Sequence, residues 1–287
     1  MFRLLCAILA SVCAAIILVP QPATAQASKC VAYVERQPSV VPAAYRPAQQ
    51  AGSVEITYVT HSTFRLRTAA GVIIATDYNG YAGPGPLPTV VTMNHAHETH
   101  FTPFPDPRIE YVLRGWNPDG GPAEHYLTLA DVLIRNVPTD IRSWGGGIER
   151  DGNSIFIFEV ADLCIGHLGH LHHKPDPEQL ARIGRLDVVF APVDGSTTLD
   201  LPSMIEVLQD LRASLVIPMH YFGSGSLNVF LAGMAEDFDI RVSRSPTIEV
   251  SLRNLPQHPT VLVLGGGAIR RGESGEAGPW LSRSSPA

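Results

Sequence analysis

A chain of 287 residues, 45% hydrophobic and 17% charged, has enough apolar material for a packed core and is not a solvated, disordered polymer. Its 21 Lys+Arg stand against 27 Asp+Glu, a net charge of -6 without runs of like charge; this argues against nucleic acid and leaves a small-molecule substrate as the expected partner. With 25 glycines and 24 prolines, many turns and short elements are expected rather than a helical bundle.

The chain opens with Arg3, an apolar stretch from Leu4 to Val19 broken only by Ser11, then Pro20 and the small residues Ala23-Thr24-Ala25. This is the pattern of a secretory signal peptide over residues 1–25, cleaved after Ala25. The other reading is a retained anchor, since spanning helices use about 20 apolar residues. On the first reading the mature protein is periplasmic or secreted, has no stable membrane span and keeps Cys30 and Cys164 as its only cysteines. Both a disulfide between them and a buried free thiol at Cys164 stay open. Residues 26–52, with Pro38, Pro42 and Pro47, read as a surface segment; 53–265 form the folded domain, and 266–287 a flexible Gly/Ser/Arg/Pro-rich tail.

Within the domain, Val54 to Val59 alternates with period two and Phe64 to Arg67 repeats the pattern, so a β-meander begins the fold, with Val72–Ala75 and Thr89–Met93 as further strands. Ser154 to Val160 and Leu163 to Gly166 suggest a hairpin. Then strand alternates with helix: a helix opened by Asp176-Pro177 and running to Ile183, a strand from Asp187 to Ala191, a helix from Pro202, and a strand from Leu215 to Pro218. Met204, Ile205, Val207, Leu208 and Leu211 give the second helix an apolar face for the core.

Eleven histidines accompany only two lysines, Lys29 and Lys174. Three histidines lie in Asn94-His95-Ala96-His97-Glu98-Thr99-His100, directly after an apolar strand. Imidazole is a common zinc ligand, and a His-x-His pair on extended backbone can aim both rings at one point. A second cluster, His167-Leu168-Gly169-His170-Leu171-His172-His173, follows another strand, and His220 ends a third. Each cluster sits at the carboxyl end of a strand, where open α/β sheets place their ligands.

The order Tyr58-Val59-Thr60-His61-Ser62-Thr63-Phe64, Thr76-Asp77, His95-x-His97-x-x-His100, the glycine–histidine run at 166–170, Asp187–Pro192 and Ile217-Pro218-Met219-His220 resembles the metallo-β-lactamase superfamily, in its ascorbate-phosphate-lactonase-like branch. The resemblance covers roughly residues 53–222. It implies an α/β (α+β) fold, a four-layer αββα sandwich with a metal site at the edge between its halves. It also implies a first metal held by His95, His97 and Asp140, the last in the loop Asn136-Val137-Pro138-Thr139-Asp140, and a second centred on His100, His170 and His220. Thr99 stands where relatives have a carboxylate, and His170 where a carboxylate would bridge two ions. A neutral imidazole has one lone pair and cannot bridge, so one ion, or two unequal ones, is expected. Zinc leads, with manganese, iron and nickel also compatible with such ligands.

Asp77, Thr99 and His167 are expected behind the ligands, orienting them through hydrogen bonds. His61 reads as a ligand or as a residue just behind one; His172 and His173 read as a cleft wall or a solvated turn. The reaction expected of such a site is hydrolysis of a lactone, ester, amide or phosphodiester by metal-bound hydroxide, with Glu98 or His61 transferring the proton. The alternative is a catalytically silent metal- or ligand-binding protein on the same fold. A purely structural ion would need a closed coordination shell, which the surplus of ligands and the Gly145-Gly146-Gly147 loop disfavour.

Overall fold

The computed structural model describes residues 27–31, 52–143 and 145–265. The expected signal peptide, most of the 26–52 segment and the tail after 265 lie outside these residues. In chain order, β1 (Val54–Thr60), β2 (Thr63–Arg67), β3 (Ile73–Ala75), β4 (Val90–Met93) and β5 (Tyr111–Arg114) begin a first sheet. Next come β6 (Tyr126–Leu129), β7 (Val132–Arg142), β8 (Ile148–Val160), β9 (Leu163–His167), α1 (Pro177–Ile183), β10 (Val188–Pro192), α2 (Leu201–Leu211), β11 (Leu215–Met219), α3 (Ser224–Met234), β12 (Asp239–Val242), β13 (Thr247–Val250) and β14 (Thr260–Val263). The first sheet has the order β13-β1-β2-β3-β4-β5, and the second β12-β14-β11-β10-β9-β8-β7-β6.

Side-chain parity builds the layers. Val54 and Ile56 of β1, Phe64 and Leu66 of β2 and Ile74 of β3 turn inward, where they meet Phe156, Phe158, Phe190 and Ile217 of the second sheet. Phe64 stacks on Phe190 with centroids 4.0 Å apart, joining the two sheets. The intervening residues Ile155, Ile157, Val189 and Val216 face the opposite way, into a second core under the helices. Central strands buried on both faces therefore read as unbroken apolar runs. In α2 the buried face is Met204, Val207, Leu208 and Leu211, each side chain contributing about 1.5–3 kcal/mol.

The capping chemistry explains where the helices start. Asp176 and Gln179 form a reciprocal capping box on α1, and Asp200 accepts from the Ser203 amide at the start of α2. The helices cover the second sheet; the outer face of the first is covered by loops that bring Tyr78, Ala82, Phe101, Ile109 and Trp116 against Ala75, Val91 and Met93. The sandwich thus carries its helical layer, among the described residues, on one side.

One expected loop is a strand. Residues 136–140 lie inside β7, which pairs antiparallel with β8 throughout, with a register shift between Thr139 and Ile141. Pro138 is tolerated because β6 pairs with β7 only as far as Arg135, so no strand on that edge needs an N–H from the proline, and its carbonyl accepts from Gln179 Nε2 at 2.9 Å. Of the two readings of the cysteines, the structure forms the bridge: Cys30 and Cys164 are joined, with Cα atoms 5.9 Å apart and a sequence separation of 134. A cross-link of that span stabilises by about 2–5 kcal/mol, chiefly by restricting the unfolded chain. It holds the segment where the Lys29 amide donates to Glu159 at 2.8 Å and Arg135 Nε donates to the same carboxylate at 2.8 Å. Among the described residues no helix is long and apolar enough to cross a membrane.

Candidate metal centre

The carboxyl ends of β4, β9 and β11 and the β1–β2 turn meet at one edge of the sandwich. After β4 the chain curls: the His100 amide donates to the His97 carbonyl at 2.9 Å, and the Asn94 amide to the His100 carbonyl at 3.3 Å. The two rings are thereby turned to the same side. The loop after β9 supplies His170 and the residue after β11 is His220, whose amide donates to the His61 carbonyl at 2.9 Å. His61, Asp77 and His220 all have positive φ, at 47°, 41° and 55°. Such backbone costs about 1–3 kcal/mol per residue and persists only where its surroundings over-determine it.

His97, His100, His170 and His220 converge, with one ring nitrogen from each lying within 4.8 Å of all the others. His97 Nε2 and His170 Nε2 are 3.0 Å apart. Nε2 of His100 and Nε2 of His220 are buried without a hydrogen-bond partner, and their rings stack with centroids 5.0 Å apart. An orphaned buried nitrogen is costly, and two of them within one histidine cluster fit a cation bound there. A tetrahedral zinc with Zn–N of about 2.0–2.1 Å sets its nitrogens about 3.3 Å apart, so the cluster has the dimensions of one ion.

The rings are held from behind. His100 Nδ1 pairs with Asp77 Oδ2 at 2.5 Å, and Asp77 Oδ1 accepts from Asn94 Nδ2 at 2.8 Å. Burial alone would raise the Asp77 carboxyl, but His100, His167 and the hydrogen bonds from His100 and Asn94 outweigh it and hold the group below its ordinary range. Asp194 Oδ1 lies 3.2 Å from His220 Nδ1, at ion-pair distance though not aligned as a hydrogen bond. Burial would raise Asp194 too; His220 and the Thr198 and Thr197 hydroxyls win, keeping it ionised. Thr99 Oγ1 sits 2.7 Å from His97 Nδ1, and His167 is stapled at both nitrogens, by the Ser62 carbonyl at 2.8 Å and the Gly169 amide at 3.1 Å.

Burial, then His220, His100 and His97, pushes His61 down to about 3; burial, then His100 and His220, pushes His97 down to about 4. Burial and the same crowding depress His170 further. His61, His97 and His170 are therefore neutral at physiological pH, the state in which imidazole has a lone pair to give. His61 stands beside the cluster rather than in it. Its ring is 3.9 Å from that of His220 and 5.4 Å from that of His100, and its Nε2 is buried and unpartnered.

Two residues expected at a first metal lie elsewhere. His95 Nδ1 pairs with Glu149 Oε1 at 2.6 Å and its ring stacks on Trp116, leaving the side chain 43% exposed. The reason is local: the backbone bends at residues 95–97 instead of running on as strand, so the extended geometry that would aim both rings of His-x-His together is not met. Asp140, on β7, binds Arg150 Nη1 at 2.8 Å and the Asp151 amide at 3.0 Å. Being in a strand rather than a loop, it is held at the bulge opposite β8. Glu98 is exposed on the curl and makes no hydrogen bond or ion pair among the described residues.

Other contributors escaped the sequence reading. Asp194 carried a signal, the run Asp194-Gly-Ser-Thr-Thr after a strand, in which a carboxylate collects the Ser196, Thr197 and Thr198 donors. Asn153 accepts from the His170 amide at 2.7 Å, and Asn94 accepts from the Ser154 amide at 2.7 Å. Gly169, at φ 61°, sits where a Cβ would lie 2.3 Å from Asn153 Oδ1 and 2.4 Å from Asn94 Nδ2. His172 is buried, with its Nε2 2.6 Å from His170 Nδ1.

A two-sheet sandwich with histidines gathered at one edge defines the class. Residues 55–220 match the family model of the beta-lactamase superfamily domain, and the chain belongs to the metallo-β-lactamase superfamily. Among its relatives, a UPF0173 metal-dependent hydrolase of Methanoculleus marisnigri is 23% identical over 216 residues, covering 69% of this chain and 93% of the relative. Another of that description, from Salinibacter ruber, is 22% identical, covering 65% and 92%. A solved structure from Thermotoga maritima, described as a Zn-dependent hydrolase of the metallo-β-lactamase superfamily, shares 26% identity at a TM-score of 0.55, over 74% of this chain and 98% of that one. A metal-dependent hydrolase from Parabacteroides distasonis, 16% identical at TM-score 0.51 over 64% and 89% of the two chains, shares the fold.

Proposed function

We propose that this chain is a metal-dependent hydrolase with a single-ion centre, exported and acting on a lactone, ester, amide or phosphodiester. The observation that carries the reading is the pair of orphaned nitrogens, His100 Nε2 and His220 Nε2, on two rings of a cluster of four converging histidines. The relatives' names as metal-dependent hydrolases support it.

Zinc suits the cluster better than manganese, because every candidate ligand atom is an imidazole nitrogen and none a carboxylate oxygen. A bound ion would supply Lewis-acid polarisation and activation of water. One ion rather than two follows from the side chains: His95 and Asp140 have other partners, and no carboxylate lies in the cluster to bridge a second cation.

The remaining chemistry belongs to the chain. Asp77 holds His100 by a hydrogen bond at Nδ1, and Asp194 stands behind His220 Nδ1 at ion-pair distance. Neutral His61, beside the cluster, is placed to accept a hydrogen bond from a water at Nε2; Glu98 has no contact tying it to the cluster. Phe222 is 72% exposed with its ring 5.3 Å from that of His61, an apolar lip for the uncharged part of a substrate. The Cys30–Cys164 bridge supports an oxidising compartment, and with it the reading of residues 1–25 as a signal peptide.

The test is metal per mole of the mature chain, and turnover of a panel of esters, lactones, amides and phosphodiesters by wild type and His97→Ala. One zinc per chain is expected, with hydrolysis lost in the variant. Equal turnover by both proteins, or a wild type that takes up no metal, removes the proposal.

A further inference from the structure

We infer that His170 is not a ligand of the ion but a fixed N–H donor beside it, aimed at the oxygen on which negative charge develops during hydrolysis. The inference rests on the single-ion reading above and refines it: three of the four clustered histidines hold the metal and the fourth binds the substrate oxygen.

The tautomers follow from one group that has no choice. A backbone amide can only donate, and the Arg142 amide points at His172 Nδ1, 2.5 Å away. His172 Nδ1 therefore offers its lone pair, and the proton of this neutral ring is on Nε2. That N–H faces His170 Nδ1 at 2.6 Å, so His170 accepts there and carries its own proton on Nε2. His170 Nε2–H in turn faces His97 Nε2 at 3.0 Å, which accepts, and His97 Nδ1–H donates to Thr99 Oγ1 at 2.7 Å. Every donor in the run meets an acceptor. The direction is set by an amide in β7, and reversing it would leave that N–H facing another proton.

The consequence separates the four rings. His100 and His220 have acidic partners at Nδ1 and buried, unpartnered lone pairs at Nε2. His97 has its proton drawn to Nδ1 by Thr99 and its Nε2 lone pair facing inward. These three are prepared as ligands. His170 presents a proton to the same space, and a nitrogen that carries a proton cannot bind a cation. Three protein nitrogens leave a tetrahedral ion one open position, the arrangement of catalytic rather than structural zinc. With the His97 lone pair given to a bound metal, the His170 N–H would lose its acceptor and be free to donate to a substrate oxygen. A donor held rigidly at a site of developing charge is worth about 10²–10³ in turnover. His170 is itself fixed by the Asn153 side chain, which accepts from its amide at 2.7 Å.

Two measurements on the mature chain test this. In the metal-free protein, ¹⁵N NMR of the imidazoles should show His170 protonated at Nε2 and His172 likewise, with the His170 signature lost in His172→Phe, where its Nδ1 has no donor. A His170 proton on Nδ1 in wild type overturns the inference. In the zinc-loaded protein, X-ray absorption should count three imidazoles; four overturn it. As a check by affinity, the zinc dissociation constant should rise less than a hundredfold in His170→Gln, against a thousandfold or more in His100→Gln. A rise nearer to that of His100→Gln on a logarithmic scale overturns it too. Should His170→Gln fail to fold, the two wild-type measurements still decide. Failure of wild type to bind zinc would instead sink the hydrolase reading, so the two failures are distinguishable.

Discussion

Two groups of histidines and acids at the same edge of the sandwich have opposite fates. His100 and His220 are fully buried, each with a carboxylate behind Nδ1 and nothing at Nε2. His95, five residues from His100, is half in solvent, paired with Glu149, and Asp140 is paired with the exposed Arg150. Residue type does not distinguish the groups. What does is whether the ligand atom has been left without a partner: Nε2 of His100 and of His220 is buried and unpartnered, whereas His95 Nδ1 and the Asp140 carboxylate are already engaged by Glu149 and Arg150.

The sharpest way to break this contrast is to remove a ring from the buried group. His220→Ala should weaken zinc binding a thousandfold or more, about 4 kcal/mol, measured by competition with a chromophoric chelator. An affinity within tenfold of wild type would mean that the orphaned nitrogens do not hold the ion. Next comes the frame behind the rings. Gly169→Ala places a methyl against Asn153 and Asn94 at a positive φ, so a loss of about 2–4 kcal/mol of stability is expected in urea unfolding, with metal binding impaired alongside. A loss below about 1 kcal/mol would show that the asparagines move freely, and that the buried group is not rigid.

Asp77→Asn sharpens the comparison further. The amide keeps the size but not the charge, and partners behind metal ligands are typically worth 10–100-fold in affinity, about 1.4–2.7 kcal/mol. No change would assign the His100 orientation to Ser62 alone, whose hydroxyl lies 3.2 Å from Nδ1. The pH dependence has a definite sign. His61 titrates at about 3 in the fold and at about 6.5 when unfolded, so between these values the unfolded chain holds a proton that the folded one lacks. Stability of the metal-free protein must therefore fall as pH drops from about 7 towards 4, by a few degrees in Tm between pH 7.5 and 5. A Tm that rises on acidification would show these rings charged in the fold.

Much of this was legible in the sequence, for physical reasons that also mark the limit. Strands with strict alternation, such as Val54–Val59, and helices opened by Asp-Pro or Asp200-Leu-Pro could be read because local chemistry alone decides them. The clusters at 95–100, 167–173 and 220 were visible because histidine after an apolar strand is rare. The internal division of those clusters was not. It depends on a bend at residues 95–97, on β7 continuing through Pro138, and on the backbone amide of Arg142, none of which has a local signature. Asp194 was overlooked for a related reason: its partners Ser196, Thr197 and Thr198 read as an ordinary turn, and the histidine it faces is 26 positions away.

The smallest expected effect is the most informative about the superfamily pattern. His95 and Asp140 occupy the positions where the resemblance puts a first metal, so a second ion recruited there would make His95→Ala and Asp140→Asn as damaging as His220→Ala. The structure gives each a sufficient occupation of its own, a 2.6 Å contact to Glu149 and a 2.8 Å contact from Arg150, both partly in solvent. Exposed pairs of this kind contribute about 0–1 kcal/mol. Each substitution should therefore change zinc affinity less than tenfold and leave one ion per chain. If either variant lowers the bound metal from two equivalents to one, the edge carries a second centre and the contrast between its two halves dissolves. If both leave the single equivalent in place, the bend at 95–97 has converted a ligand position of the superfamily pattern into a surface contact.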